Sequence, residues 1–256
     1  MKHGKIALIA AGALLVAGGY AAGYVSAHAA TSHAAQCRNG YVALTFDDGP
    51  DPASTPRLLD ALRDAGIRAT FFDIGQHVQA YPALVKQTVA YGNAVEDHTW
   101  DHRSLTGATT GTTALTENQV TSELYRAKQT IVAETGRQPA FFRSPYGDSD
   151  AAVQQAAGRL GMTEVGWTVD SRDYKGIPTD QVVANVLSVK PGGVVVMHDT
   201  AHTANTIAAI PAIAAGLRAR GLCAGRLAPS APGTSGWEHG VFHARPVKWP
   251  PQPGEK

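Results

Sequence analysis

The sequence predicts a parallel α/β fold, with an incomplete β/α barrel as the first choice. Three observations carry this expectation. Short apolar runs alternate with amphipathic segments in about six or seven strand-then-helix units. The amphipathic segments start on cap residues and stop on glycine. Polar residues follow each apolar run at once, as they do at the carboxyl rim of parallel strands. An open doubly wound sheet is the second choice, because spacing does not show whether the sheet closes.

Tyr41 to Phe46 reads as the first strand. Ser54-Thr55-Pro56 caps a helix whose Leu58, Leu59, Leu62 and Ala65 share a face, and Gly66 ends it. Ala69 to Phe72 is a strand, Pro82 to Tyr91 a helix closed by Gly92, and Asn93 to Glu96 a short, polar strand. Thr116 caps the longest helix and Gly136 ends it. Phe141-Phe142, Glu164 to Val169 and Val194 to Met197 follow as strands, with helices near Ser149 to Leu160 and Thr179 to Val189 between them. A last helix near Ile207 to Arg220 precedes Cys223. From Ala228 onward Pro, Gly and Ser accumulate without periodicity, which reads as a loose tail over 228–256.

With 22 basic and 21 acidic side chains among 256 residues, the net charge of +1 offers no basic stripe for a phosphate backbone. Nucleic acid is therefore not an expected partner. Residues 1–30 read as an export leader: Lys2 and Lys5 supply charge, Ile6 to Val16 is apolar, and Ala27-His28-Ala29 fits a cleavage site. The alternative is an uncleaved anchor over Ile6 to Val25, the one way the chain meets a membrane. The expectation is a secreted, cell-wall or extracellular protein. In that oxidising setting Cys37 and Cys223, which bracket a domain over 37–227, are expected to form a disulfide.

The rim residues are the candidates for chemistry. Tyr41 to Phe46 ends in Asp47-Asp48, the Val95 strand in Asp97-His98, Phe141-Phe142 in Arg143, Trp167 to Val169 in Asp170, and Val194 to Met197 in His198-Asp199. His98 and His102 have the i, i+4 spacing that puts two imidazoles on one face of a helical turn, suited to a divalent ion. With one carboxylate they make an open site for water and a substrate oxygen. Asp47 fits a general base beside it and His198 a general acid. His77, His202 and His243 lack partners at ligand spacing and read as surface histidines. Trp237 and Trp249 fall in the tail, and Trp100 reads as packing beside the metal helix.

These motifs, taken in order, resemble the polysaccharide deacetylases with a NodB-type domain, carbohydrate esterase family four, over Tyr41 to about Leu222. Thr45-Phe46-Asp47-Asp48-Gly49-Pro50 is similar to that family's first motif and His98-Thr99-Trp100-Asp101-His102 to its second. Arg143-Ser144-Pro145-Tyr146-Gly147, Asp170-Ser171-Arg172-Asp173-Tyr174 and Val196-Met197-His198-Asp199 are similar to the third, fourth and fifth. The resemblance implies a distorted (β/α)7 barrel with its site at the carboxyl ends of the strands. It implies Asp48, His98 and His102 as ligands of one divalent metal, zinc before cobalt, manganese or nickel. Asp47 is then base, oriented by Arg143, and His198 is acid. The Tyr146 amide holds the oxyanion, and Tyr174 and Val196 line an acetyl-methyl pocket. Asp170 is nominated as the partner of His198, with Asp173 the alternative. The implied reaction removes N-acetyl groups from chitin, chitooligosaccharide or peptidoglycan. An acetylxylan esterase of the same fold and a catalytically silent carbohydrate-binding protein are the alternatives. The chain departs from the family pattern at Asp73, Glu96-Asp97, Ser144 and Tyr174, none of them a proposed ligand.

Overall fold

The computed structural model describes residues 37–201, 203–228 and 241–243. The leader or anchor, His202, Trp237 and Trp249 lie outside the described residues. Among the described residues, no helix is long and apolar enough to cross a membrane.

The first strand, β1 (Tyr41–Asp47), is buried along its whole length, as expected of a parallel strand covered on both faces. Its alternation sorts two cores. Val42, Leu44 and Phe46 point outward and pack on Leu58, Leu59 and Leu62 of α1 (Thr55–Ala65) and on the helices α6 (Thr179–Leu187) and α7 (Ala204–Ala219). Tyr41 and Ala43 point inward to Phe72, Phe141, Val165 and Val194. Further along the same inward row come Thr45 and Asp47, so the interior is apolar below and polar at the carboxyl end.

Six more parallel strands follow: β2 (Thr70–Asp73), β3 (Ala94–Asp97), β4 (Phe141–Phe142), β5 (Thr163–Glu164), β6 (Val169–Asp170) and β7 (Val194–His198). Helices α2 (Gly75–Ala80), α3 (Pro82–Ala90), α4 (Glu117–Thr135) and α5 (Ala151–Arg159) connect them. The strand order is β5-β4-β3-β2-β1-β7-β6. The expected seven-stranded barrel is therefore present and stays open between β5 and β6. The single strand expected over Glu164 to Val169 is two short ones. Its middle leaves the ladder because Arg143 takes the Val165 and Gly166 carbonyls with Nε and Nη2, at 3.0 and 3.2 Å. The Arg143 side chain starts at the end of β4 and also reaches Thr45 and Asp47 on β1, so the sheet curls.

Of the two expected N-terminal caps, one forms and one does not. Thr116 caps α4 with a reciprocal Gln119 bond and Gly136 ends it at φ 68°. Ser54 precedes α1 but gives no cap bond; its hydroxyl, with that of Thr55, is drawn onto Asp199 at 2.6 Å each. After α7, Cys223–Ala228 forms β8, parallel to the lower half of β1, and Val241–His243 forms β9 beside it. The disulfide joins Cys37 to Cys223, Cα atoms 5.2 Å apart, tying the start of the domain to β8.

Candidate metal and acid–base site

Register brings the rim residues abreast. Asp47 lies opposite Phe72 on one side and His198 on the other, while Asp97 pairs with both Asp73 and Phe142. The next residues along the chain, Asp48, His98 and Arg143, thus leave three strands at one level. Asp48 and His98 face a cavity of about 410 Å³ that Tyr146, Tyr174, Val196 and Asp170 also line, while Arg143 is buried behind it.

Asp48, His98 and His102 each offer one ligand atom, and these atoms lie within 4.8 Å of one another. Asp48 Oδ1 is 3.3 Å from His98 Nε2 and 3.1 Å from His102 Nε2. His98 Nδ1 is 2.7 Å from the Arg143 carbonyl, which only accepts, so Nδ1 carries the proton and Nε2 is left as a lone-pair donor. Burial pushes the Asp48 carboxyl up, but the imidazoles of His102 and His98 beside it outweigh that and hold the group well below the usual carboxylate range. One carboxylate and two imidazoles with open positions suit a divalent ion such as zinc.

The histidines do not share a helix, contrary to the helical reading of their spacing. They lie in a loop in which Thr99 and His102 have φ 67° and 60°. A β-branched residue there is strained, and the loop is fixed by several bonds at once. Asp97 Oδ1 accepts the Thr99 amide at 2.8 Å, Thr99 Oγ1 accepts the His102 amide, and Glu123 of α4 accepts the Trp100 and Asp101 amides at 3.1 Å. Trp100 is buried under the Arg126 guanidinium, 4.1 Å from its ring, so it packs rather than facing the cavity.

Asp47 sits between the triad and Arg143. Its Oδ1 accepts from Arg143 Nη1 at 2.7 Å, and its Oδ2 is 4.0 Å from His98 Nε2. Arg143 is fully buried, its guanidinium 4.1 Å from the Phe72 ring centroid, and Asp47 is its one carboxylate within ion-pair distance among the described residues. Beside Asp47 on the neighbouring strand, His198 Nδ1 meets Asp173 Oδ1 at 2.7 Å, while Asp173 Oδ2 accepts the His198 amide and the Thr206 hydroxyl. Burial pulls the His198 imidazole down, but Asp173 outweighs it and raises the group to about 9. This corrects the assignment of Asp170 as partner. Asp170 Oδ1 is turned back onto the Arg172 amide at 2.7 Å, and the left-handed Arg172 swings the chain so that Asp173, three residues on, comes in behind the imidazole.

Sequence reasoning also missed His77, read as a surface histidine; it is half-buried with Nδ1 2.8 Å from the Asp48 carbonyl. Asp73, noted only as a departure, is buried with no hydrogen-bond partner for either oxygen among the described residues. A Cβ on Gly49 would meet Asp199 Oδ2 at 2.8 Å and Asp73 Oδ1 at 3.0 Å, so two carboxyls crowd one glycine. Burial, then the charges of Asp199 and Asp47, hold Asp73 well above the usual range; burial lifts Asp199 to about 6. A carboxyl that binds its proton more tightly when folded makes stability fall as pH rises from the unfolded value near ~4 towards the folded one. Asp73→Asn keeps the shape and offers an N–H towards Asp199. Its thermal midpoint should exceed the wild-type one by about 3 °C or more at pH 8, with the gap closing near pH 4. Equal midpoints at both pH values would show Asp73 to be ionised without cost.

Residues 35–165 match the family profile described as polysaccharide deacetylase. The chain is 37% identical over 193 residues to a bifunctional xylanase/xylan deacetylase of Cellvibrio japonicus, a match covering 75% of this chain and 28% of that protein. It is 36% identical to the peptidoglycan-N-acetylglucosamine deacetylase PgdA of Listeria monocytogenes, over 64% of this chain and 34% of that one. The chain thus spans about a third of the length of these curated relatives. Among solved structures, a family 4 carbohydrate esterase from Streptomyces lividans in complex with acetate superposes with a TM-score of 0.68 at 43% identity, covering 73% of this chain and 92% of that one.

Proposed function

The chain belongs to the polysaccharide deacetylase family, and from that premise we propose that it hydrolyses N-acetyl groups of an acetylated polysaccharide, releasing acetate and a free amine. The observation that carries the reading is the convergence on one cavity of Asp47, the Asp48/His98/His102 triad and a His198 paired with Asp173. Chitin, chitooligosaccharide and peptidoglycan, all of which contain N-acetylglucosamine, are the proposed substrates. The leader-like N-terminus and the disulfide support a secreted enzyme.

Asp48 and the two histidines would hold one divalent ion, zinc by their mixed nitrogen and oxygen donors. Such an ion supplies Lewis acidity towards water and an acyl oxygen. Asp47, fixed by Arg143, accepts the proton of the attacking water. The Tyr146 N–H, which has no partner among the described residues and sits on a left-handed residue at φ 60°, donates to the oxyanion. A donor so placed contributes about 3 kcal/mol to the transition state. His198, kept charged by Asp173, gives its Nε2 proton to the leaving amine. Val196 and Tyr174 close the wall around the acyl methyl; Tyr174 stands edge-on to His198, ring centroids 5.4 Å apart.

An amide needs the acid more than an ester does, because an amine leaves only when protonated. Acetate release by the metal-loaded protein from chitooligosaccharides, peptidoglycan and acetylated xylan tests the reading. The expected result is a kcat/KM at least about tenfold higher on an N-acetylated substrate than on xylan, equivalent to 1.4 kcal/mol. The reverse order would make the protein an acetylxylan esterase, and no release from any of the three would leave a silent binding protein.

A further inference from the structure

The short helix α2 touches both halves of the metal triad. Asp48 has φ 76°, a left-handed conformation costly for a non-glycine residue, and its carboxylate points correctly only while that turn is held. The backbone on either side is pinned by β2 and the residue after it: the Asp48 amide donates to the Phe72 carbonyl at 3.2 Å and the Gly49 carbonyl accepts the Ile74 amide at 2.9 Å. The Asp48 carbonyl itself is held by a side chain, His77, whose Nδ1–H donates across 2.8 Å.

His77 is the third residue of α2, and the first two amides of that helix, which have no intrahelical partner, are also used. Gly75 donates to the Thr99 carbonyl at 2.9 Å and Gln76 to the Trp100 carbonyl at 3.0 Å, both in the loop between His98 and His102. The approach requires glycine at 75, since a Cβ there would lie 2.7 Å from the Trp100 ring and 2.9 Å from Ala127 Cα. One helical turn thus grips the loop of the two imidazoles through its amides and the loop of the carboxylate through an imidazole.

We propose that His77 is a positioning residue for the metal site: its Nδ1–H fixes the Asp48 turn relative to the histidine loop, so that the three ligand atoms are arranged before the ion arrives. The inference rests on the metal assignment above and not on the substrate. Partners of this kind, one shell out from the ion, are worth about 10- to 100-fold in metal affinity.

The test is calorimetric titration of metal-stripped protein with zinc, comparing wild type, His77→Ala and His77→Asn. Asn places an amide N–H where Nδ1 stood. His77→Ala should bind zinc about tenfold or more weakly, and His77→Asn should recover most of the loss, with thermal midpoints of the stripped proteins recording any change in folding. Equal affinities in the two variants, whether at the wild-type level or below it, overturn the proposal, because the donor would then not matter. A wild-type protein that takes up no zinc is instead the failure of the metal reading itself.

Discussion

Asp47→Asn is expected to lower turnover by about 10²- to 10⁴-fold while leaving metal content unchanged. The amide cannot accept the proton of water, yet its Oδ1 can still accept from Arg143 Nη1, so the shape of the site survives. The charge does not. Arg143 is fully buried with Asp47 as its counter-ion, and burial already works against the guanidinium. Removing one partner of a buried pair leaves an uncompensated charge, so the variant should also lose about 3 kcal/mol of stability. Steady-state kinetics, metal analysis and denaturant unfolding of one protein preparation check all three statements. Activity within tenfold of wild type would remove Asp47 from the role of base.

Asp173→Asn should move the alkaline limb of the pH–rate profile to lower pH. His198 as acid must be charged, and activity is lost as pH rises through its folded value of about 9. Without the Asp173 charge only the weaker pull of Asp47 and Asp48 offsets burial, so the imidazole should fall towards its ordinary 6.5. At pH 8 the protonated fraction then drops to a few per cent and turnover by about 30-fold, with metal content unchanged. Asp170→Asn should leave the limb in place, because its carboxylate is committed to the Arg172 amide. A shifted limb in Asp170→Asn and none in Asp173→Asn would reverse the assignment drawn from the structure.

The placement of the site was legible in the sequence because β1, β3, β4 and β7 each end in a polar residue or run directly into one, and parallel strands send those ends to one rim. Asp47, Asp48, His98, Arg143 and His198 needed no more than that rule and the motif resemblance. The helical reading of His98 and His102 failed because a spacing of four is silent about backbone sign; Thr99 and His102 take left-handed conformations that no hydrophobic pattern records. The fourth motif offered two aspartates on the same rim, and only the bend at Arg172 decides between them. An incomplete barrel was expected, but the place where it opens was hidden, because it follows from a long-range bond between the Arg143 side chain and the Val165 and Gly166 carbonyls, which no local window contains. His77 escaped notice for a different reason: its partner is a backbone carbonyl 29 residues away, and a search for ligand spacing passes over it.

The central claim is that this rim hydrolyses an acetamide with the help of an ion held by Asp48, His98 and His102. The most direct measurement is acetate release from an N-acetylated chitooligosaccharide by the protein as purified, after rigorous removal of metal, and after one equivalent of divalent ion is returned. Release is expected in the first case, loss of release in the second and recovery in the third. An undiminished rate in the metal-free protein would contradict the claim.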